Sequence, residues 1–219
     1  MKKIVALLTG LLLLSSCRSV SYDDLNPTIQ PNDNLLPVLE IETDASMYPR
    51  LYTVEEKHYK DFDSHSGNAR DYTITRNRYE DPRIRTATNI FIKEVQENII
   101  EQTGHKKGYI KMRVTYLNNN RNGFYSLAKL PLYIPVFLGI PCGNSEYTTE
   151  VEVTIMDKQK NIIKRYTEKA LDEEFEAMYW GYDEYDAKYK ASMVSLKKAL
   201  ENIRHRINND APQIRAELK

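Results

Sequence analysis

The amino-acid sequence predicts an α+β domain: a mostly antiparallel sheet with two main helices packed on one face, behind an export signal and a flexible tether. Three observations carry the prediction. Two long stretches, Asp81–Thr103 and Tyr182–Ile207, repeat apolar residues at helical spacing. Three others, Tyr109–Leu117, Tyr147–Met156 and Ile162–Leu171, alternate apolar and polar residues as half-buried strands do. The order is strand, helix, strand, apolar link, strand hairpin, helix, which lets two helices cover one face of a sheet.

Pro37–Thr43 alternates and reads as the first strand, and Leu51–Glu55 as a second. Residues 60–80 are polar and read as a long loop or a loose hairpin. Asp81-Pro82 then places a capping carboxylate before a proline at the first helical position. Ala87, Phe91, Val95 and Ile99 form one stripe of that helix, with Ile92 and Ile100 beside it, and Gly104 supplies a left-handed terminator. In the next strand Ile110, Met112, Val114 and Tyr116 face one way and Lys111, Arg113 and Thr115 the other. Asn118–Gly123 reads as a turn. Tyr147, Thr149, Val151, Val153 and Ile155 share a face of the following strand. Asp157–Asn161 turns the chain into Ile162–Leu171, where Lys164 and Arg165 are expected to face Glu150 and Glu152. The last helix carries Tyr182, Tyr185, Tyr189, Met193, Leu196, Leu200, Ile203 and Ile207 at steps of three and four. Ala211-Pro212 is expected to end it.

The start of the chain has a different character. Met1-Lys2-Lys3 is basic, Ile4–Leu14 is an apolar run, and Leu14-Ser15-Ser16-Cys17 follows. A basic start, an apolar core and small residues at a cleavage point make a secretory signal. The run is shorter than the roughly 20 residues a spanning helix needs. Leu14-Ser15-Ser16-Cys17 resembles the bacterial lipobox, which implies cleavage before Cys17 and lipid on its thiol. Acyl chains then replace a membrane span, at about 0.8 kcal/mol per buried methylene. Residues 17–36 hold Asn26-Pro27, Gln30-Pro31 and Asn32-Asp33-Asn34 with no apolar period, and read as the tether. The expected organisation is a signal peptide over 1–16, lipidated cysteine and tether over 17–36, one domain over 37–210 and a polar tail over 211–219.

The whole chain of 219 residues has 31 basic and 31 acidic side chains. Removing 1–16 leaves 203 residues and takes away Lys2 and Lys3, so the remainder is slightly acidic. That balance excludes a nucleic-acid footprint, which is strongly basic. Arg18, rather than an aspartate, follows the cysteine. By resemblance to lipoprotein sorting, this implies the outer membrane and its periplasmic face, with cell-surface exposure as the alternative. The second cysteine, Cys142, has no partner in the chain once Cys17 carries lipid, and reads as a small buried residue.

Two segments are candidates for contact. Leu130–Cys142 is the most apolar stretch after the signal, and Pro131, Pro135 and Pro141 rule out a continuous helix or central strand. It reads either as a buried connection over the sheet or as an exposed loop, with Leu132, Tyr133, Ile134, Val136, Phe137 and Leu138 meeting a partner. Tyr179, Trp180, Tyr182 and Tyr185 cluster beside acids; they suit the first turns of an amphipathic helix, or stacking on a sugar or a protein. No catalytic constellation is expected. His58, His65, His105 and His205 lack metal-ligand spacing, and no phosphate-cradling glycine loop or calcium loop is present. Asp172, Glu173, Glu174 and Glu176 read as a solvated acidic run. No cofactor or metal is implied.

The lipobox, the tether and the element order over residues 86–208 together resemble a group of envelope lipoproteins. The group includes the curli secretion-channel lipoprotein, activators of peptidoglycan synthases and the N-terminal domain of the Tol propeller protein. The resemblance implies a non-enzymatic accessory protein, held to the membrane through Cys17 and acting on another envelope protein or on itself. The alternatives are a glycan- or peptide-binding lipoprotein and a subunit of an oligomeric secretion channel. Residues 124–142 are too short and proline-rich for the long alternating hairpins of channel formers.

Overall fold

The computed structural model describes residues 23–29, 34–43, 47–48, 52–53, 56–62, 69–75, 79–80, 82–122, 143–176 and 183–218; for 52–80 this covers the backbone alone. The strands are β1 (Leu39–Glu42), β2 (Tyr52–Thr53), β3 (Glu56–Phe62), β4 (Ala69–Thr75), β5 (Tyr79–Glu80), β6 (Gly108–Asn122), β7 (Gly143–Asp157) and β8 (Ile162–Glu176). The helices are α1 (Pro82–Asn98) and α2 (Glu184–Glu217). The main sheet runs β1-β6-β7-β8, with β1 parallel to β6 and the other neighbours antiparallel. This is the α+β architecture expected. For the stretch 60–80 the described residues favour the hairpin alternative, with β3, which begins before it, paired antiparallel to β4, and β2 pairs with β5.

The core lies between the sheet and the two helices. Val151, Val153 and Ile155 of β7 and Ile110, Met112 and Val114 of β6 are buried on the helix side. Ile84, Ala87, Phe91 and Val95 of α1 meet them, as do Met193, Leu196, Leu200, Ile203 and Ile207 of α2. Each large apolar side chain removed from water there contributes about 1.5–3 kcal/mol. Gly108 opens β6 against β7, where a side chain would collide with the Met156 carbonyl.

Six expectations need correction. First, α1 stops at Asn98 rather than Thr103, because the Ile99–Glu101 backbone is taken by Leu36: Leu36 N–H donates to the Ile99 carbonyl (2.8 Å) and Glu101 N–H to the Leu36 carbonyl (2.8 Å). Ile99 and Ile100 are buried beyond the helix, and Gly104, with φ +140°, turns the loop toward β6 instead of capping α1. Second, Tyr116 leaves the inward stripe. A bulge between Val114 and Tyr116 inserts one residue and re-phases the strand, so Tyr116 is exposed on the outer face and Leu117 packs inward. Third, Asn118–Asn122 is not a turn; it continues β6 in register with Asn144–Thr148.

Fourth, the acidic run lengthens β8. Alternation turns Asp172 and Glu176 to the helix side, where they are buried and bonded to Lys198 (2.7 Å) and Ser145 (2.7 Å). On the outer face Arg165 reaches Glu152 diagonally at 3.5 Å, while Lys164 turns to Asp210 of α2 at 3.4 Å. Fifth, α2 runs through Pro212 to Glu217. The apolar period continues at Ala211, Ile214 and Leu218, all buried, so packing holds the last turns against the local cost of proline. The supposed polar tail therefore contributes Ala211, Ile214 and Leu218 to the core. Sixth, described residues of the tether dock on the domain. Asp23–Leu25 forms a 3-10 turn, Leu25 packs against the core, and Leu36 is fully buried in a bridge to Ile100.

One ion pair sits inside the core. Arg204 of α2 donates to Glu94 of α1 at 2.9 Å, with both side chains nearly inaccessible, and Asn98 donates to the other Glu94 oxygen at 3.1 Å. Burial pushes the Glu94 carboxyl up from its ordinary value, against the pull of Arg204 and the bond from Asn98. Removing one partner strands the other charge. Glu94→Ala is expected to cost about 3–5 kcal/mol in chemical denaturation, while the joint change Glu94→Leu with Arg204→Met costs far less. Equal costs for the single and joint changes would contradict this reading.

Candidate functional site

The layer between sheet and helices changes character along its length. On β7 the inward positions are Ser145, Tyr147 and Thr149 at one end and Val151, Val153 and Ile155 at the other. The same end of α2 offers Ser192 and Ser195. Hydroxyls therefore meet hydroxyls. Thr149 Oγ1 and Ser195 Oγ are 2.6 Å apart, Ser195 Oγ donates to the Ser192 carbonyl at 3.0 Å, and Ser192 Oγ donates to the Tyr189 carbonyl at 2.8 Å. Arg83 donates to the Tyr147 hydroxyl at 3.1 Å. Each buried hydroxyl so paired avoids the cost of an unmet polar group.

Above this polar end lies an open groove of about 470 Å³, lined by Leu25, Pro82, Thr86, Tyr185, Asp186 and Tyr189. Asp183 caps α2 there by accepting from the Asp186 N–H at 2.8 Å. Tyr189 is fixed by a 2.5 Å bond between its hydroxyl and Thr86 Oγ1, and Tyr185 stacks on it with ring centroids 6.5 Å apart. Tyr185 is 63% exposed. Aromatic faces, a hydroxyl and a carboxylate around an open groove suit a protein side chain or a sugar ring.

Beside the groove Lys190 is buried between two carboxylates, Asp24 at 2.9 Å and Glu174 at 3.1 Å. Burial pushes the Glu174 carboxyl up against the pull of Lys190, while the Lys190 bond holds Asp24 below its ordinary value. Lys190 thereby ties the N-terminal segment and β8 to α2. Among the described residues no group of histidine, cysteine and acid side chains is placed to hold a metal. His105 and His205 are both exposed, on a loop and on α2.

Of the predicted contact residues, the structure places Tyr185 in the groove. Leu132, Tyr133, Ile134, Val136, Phe137, Leu138, Tyr179, Trp180 and Tyr182 lie outside the described residues, as do Cys17, Asp81, His65, Cys142 and the signal peptide. Sequence reading missed Lys190, Lys197, Arg204 and Arg215, which line α2 toward the docked N-terminal segment. The seven-residue spacing of Lys190, Lys197 and Arg204 was the available signal. Among the described residues no helix is long and apolar enough to cross a membrane.

No protein-family model matches the chain, and no characterised protein matches it in sequence. Among solved structures it is similar to a proposed lipoprotein from Caulobacter crescentus CB15. The TM-score is 0.35 and the identity 11%, over 63% of this chain and 86% of that one.

The groove geometry separates two tyrosines. Tyr185→Ala is expected to change stability by less than about 0.5 kcal/mol, because the ring is largely in solvent. Tyr189→Phe loses a part-buried bond and should cost about 0.5–1.5 kcal/mol. Thermal denaturation of both variants checks this; a larger loss for Tyr185→Ala would mean that the groove is structural.

Proposed function

We propose that this chain is a membrane-anchored accessory lipoprotein that acts by protein–protein contact in the cell envelope. Lipid on Cys17 would hold it to the outer membrane, facing the periplasm. The observation that carries this reading is a convergence at one end of the domain. Asn122, where β6 ends, is in register with Asn144 at the start of β7, and Asn144 with Phe175 near the end of β8. The apolar connection 123–142 leaves and returns there, and the aromatic run 177–182 leads from the end of β8 to the start of α2. Asp24, only seven residues after Cys17, is bonded at the same end to Lys190. Both candidate contact segments therefore connect to the end of the domain at which Asp24 docks. Leu132–Leu138 and the patch from Tyr179 to Tyr185 would form the contact surface.

A second reading is glycan or peptide binding, favoured by the stacked Tyr185 and Tyr189 beside Asp186 in the groove. Trp180 fluorescence would respond to such a ligand.

Photo-crosslinking side chains at Phe137, Tyr179 and, as a control, the exposed Ile162 at the far end of β8 would test the leading reading in cells. Adducts with one defined envelope protein or a second copy at 137 and 179, and none at 162, are expected. No adduct at either, or equal adducts at all three, would overturn it. Cys17→Ser should release the protein from the membrane fraction.

A further inference from the structure

We infer that the described residues 23–29 and 34–35 form a releasable strap that sets how far the domain reaches from its lipid anchor; the reach rests on the lipoprotein reading above, the strap does not. Cations along α2 hold the strap. Lys190 bonds the Asp24 carboxylate at 2.9 Å, Lys197 the Asp24 carbonyl at 2.8 Å, and Arg204 the Thr28 carbonyl at 3.3 Å. Three turns further on, Arg215 donates to the Leu35 carbonyl at 2.9 Å. Asp24, Thr28 and Leu35 thus follow the helix in order and are held mostly through their backbone carbonyls.

Two observations make this contact reversible. The strap buries little: Asp24, Asn26, Thr28 and Ile29 are exposed, with Ile29 at 71%, and among its described apolar side chains Leu25 alone packs on the core. Its root is different, because Leu36 is fully buried and bridged to Ile100. Segments with little buried apolar surface open at low cost, whereas the root opens only with the core. The second observation concerns the cations. Lys190 keeps Glu174 at 3.1 Å, Lys197 keeps Glu201 at 3.7 Å and Arg204 keeps Glu94 at 2.9 Å when the strap leaves. Release strands no buried charge, so it avoids the penalty that normally locks such contacts shut.

The consequence is a change of leash length. With the strap docked, Asp24 is seven residues from Cys17, a separation of at most about 25 Å. With it released to Leu36, 19 residues span at most about 65 Å. One fold would therefore hold its contact end close to the bilayer or well away from it.

The test is a distance measurement on the full chain in membranes, with Cys142→Ser and spin labels at Thr28→Cys and the exposed His205→Cys. The expected result is two populations, a short docked distance and a broad long one. Asp24→Asn with Lys197→Ala should reduce the short population about fivefold, the scale expected where the Asp24 side of each contact is largely in solvent, with the melting temperature unchanged. A single short distance that ignores these changes would make the segment a permanent part of the fold and overturn the strap. A single broad distance in the wild type would overturn it too. Repeating the measurement with Cys17→Ser separates the two ideas: two populations in a protein that stays in the membrane fraction would sink the lipid anchor and leave the strap standing.

Discussion

The long helix and the three long strands are matched in length, and most of the molecule follows from that match. Thirty-four helical residues at 1.5 Å each span about 51 Å, and fifteen strand residues at 3.3 Å each span about 50 Å. A helix lying along β7 and β8 can therefore bury its apolar stripe from the polar end of the sheet to the far one. The stripe runs from Met193 to Leu218 with little interruption. Burial at Ile214 and Leu218, beyond Pro212, carries the helix through a residue that would end it in isolation. The shorter α1 fills the remaining width, and the Glu94–Arg204 pair fixes the two helices against each other. Such a pair adds little net stability over an apolar contact, but it penalises a slipped register in which either charge loses its partner.

The same helix has two working surfaces. Its apolar stripe faces the sheet, and its cations Lys190, Lys197, Arg204 and Arg215 face the N-terminal segment. The polar end of the core is a consequence of where the hydroxyl residues fall on β7 and α2. Ser145, Thr149, Ser192 and Ser195 leave that end less apolar than the rest, and they lie where the aromatic groove opens. That end of the domain combines a polar interior, an open groove and the docked Asp24, while the apolar end maintains the fold.

The fold class was legible because the signals were long and periodic. Alternation on β7, with every inward residue from Tyr147 to Ile155 buried, is a pattern that tertiary structure had no reason to override. The boundaries were less legible, for specific reasons. Asn118–Asn122 and Asp172–Glu176 have turn-like or solvated composition, yet both extend strands because their neighbours on β7 continue the ladder. Leu36, in a segment without period, is captured by Ile99–Glu101, a non-local pairing that no local window contains. The bulge at Val114–Tyr116 re-phases one strand without a glycine to mark it. Tyr185, which lines the groove, was singled out because aromatic clustering is visible in sequence. The α2 cations were not, because a charged stripe on a helix ordinarily faces water.

Hydrogen exchange across α2 tests the central claim of a length-matched helix most directly. If packing carries the helix through Pro212, the amides of Ile214 and Leu218 exchange as slowly as that of Leu200, all through global unfolding. Fast exchange beyond Pro212, with Leu200 and β7 still protected, would mean that the helix ends at the proline and that the match between helix and sheet does not organise the fold.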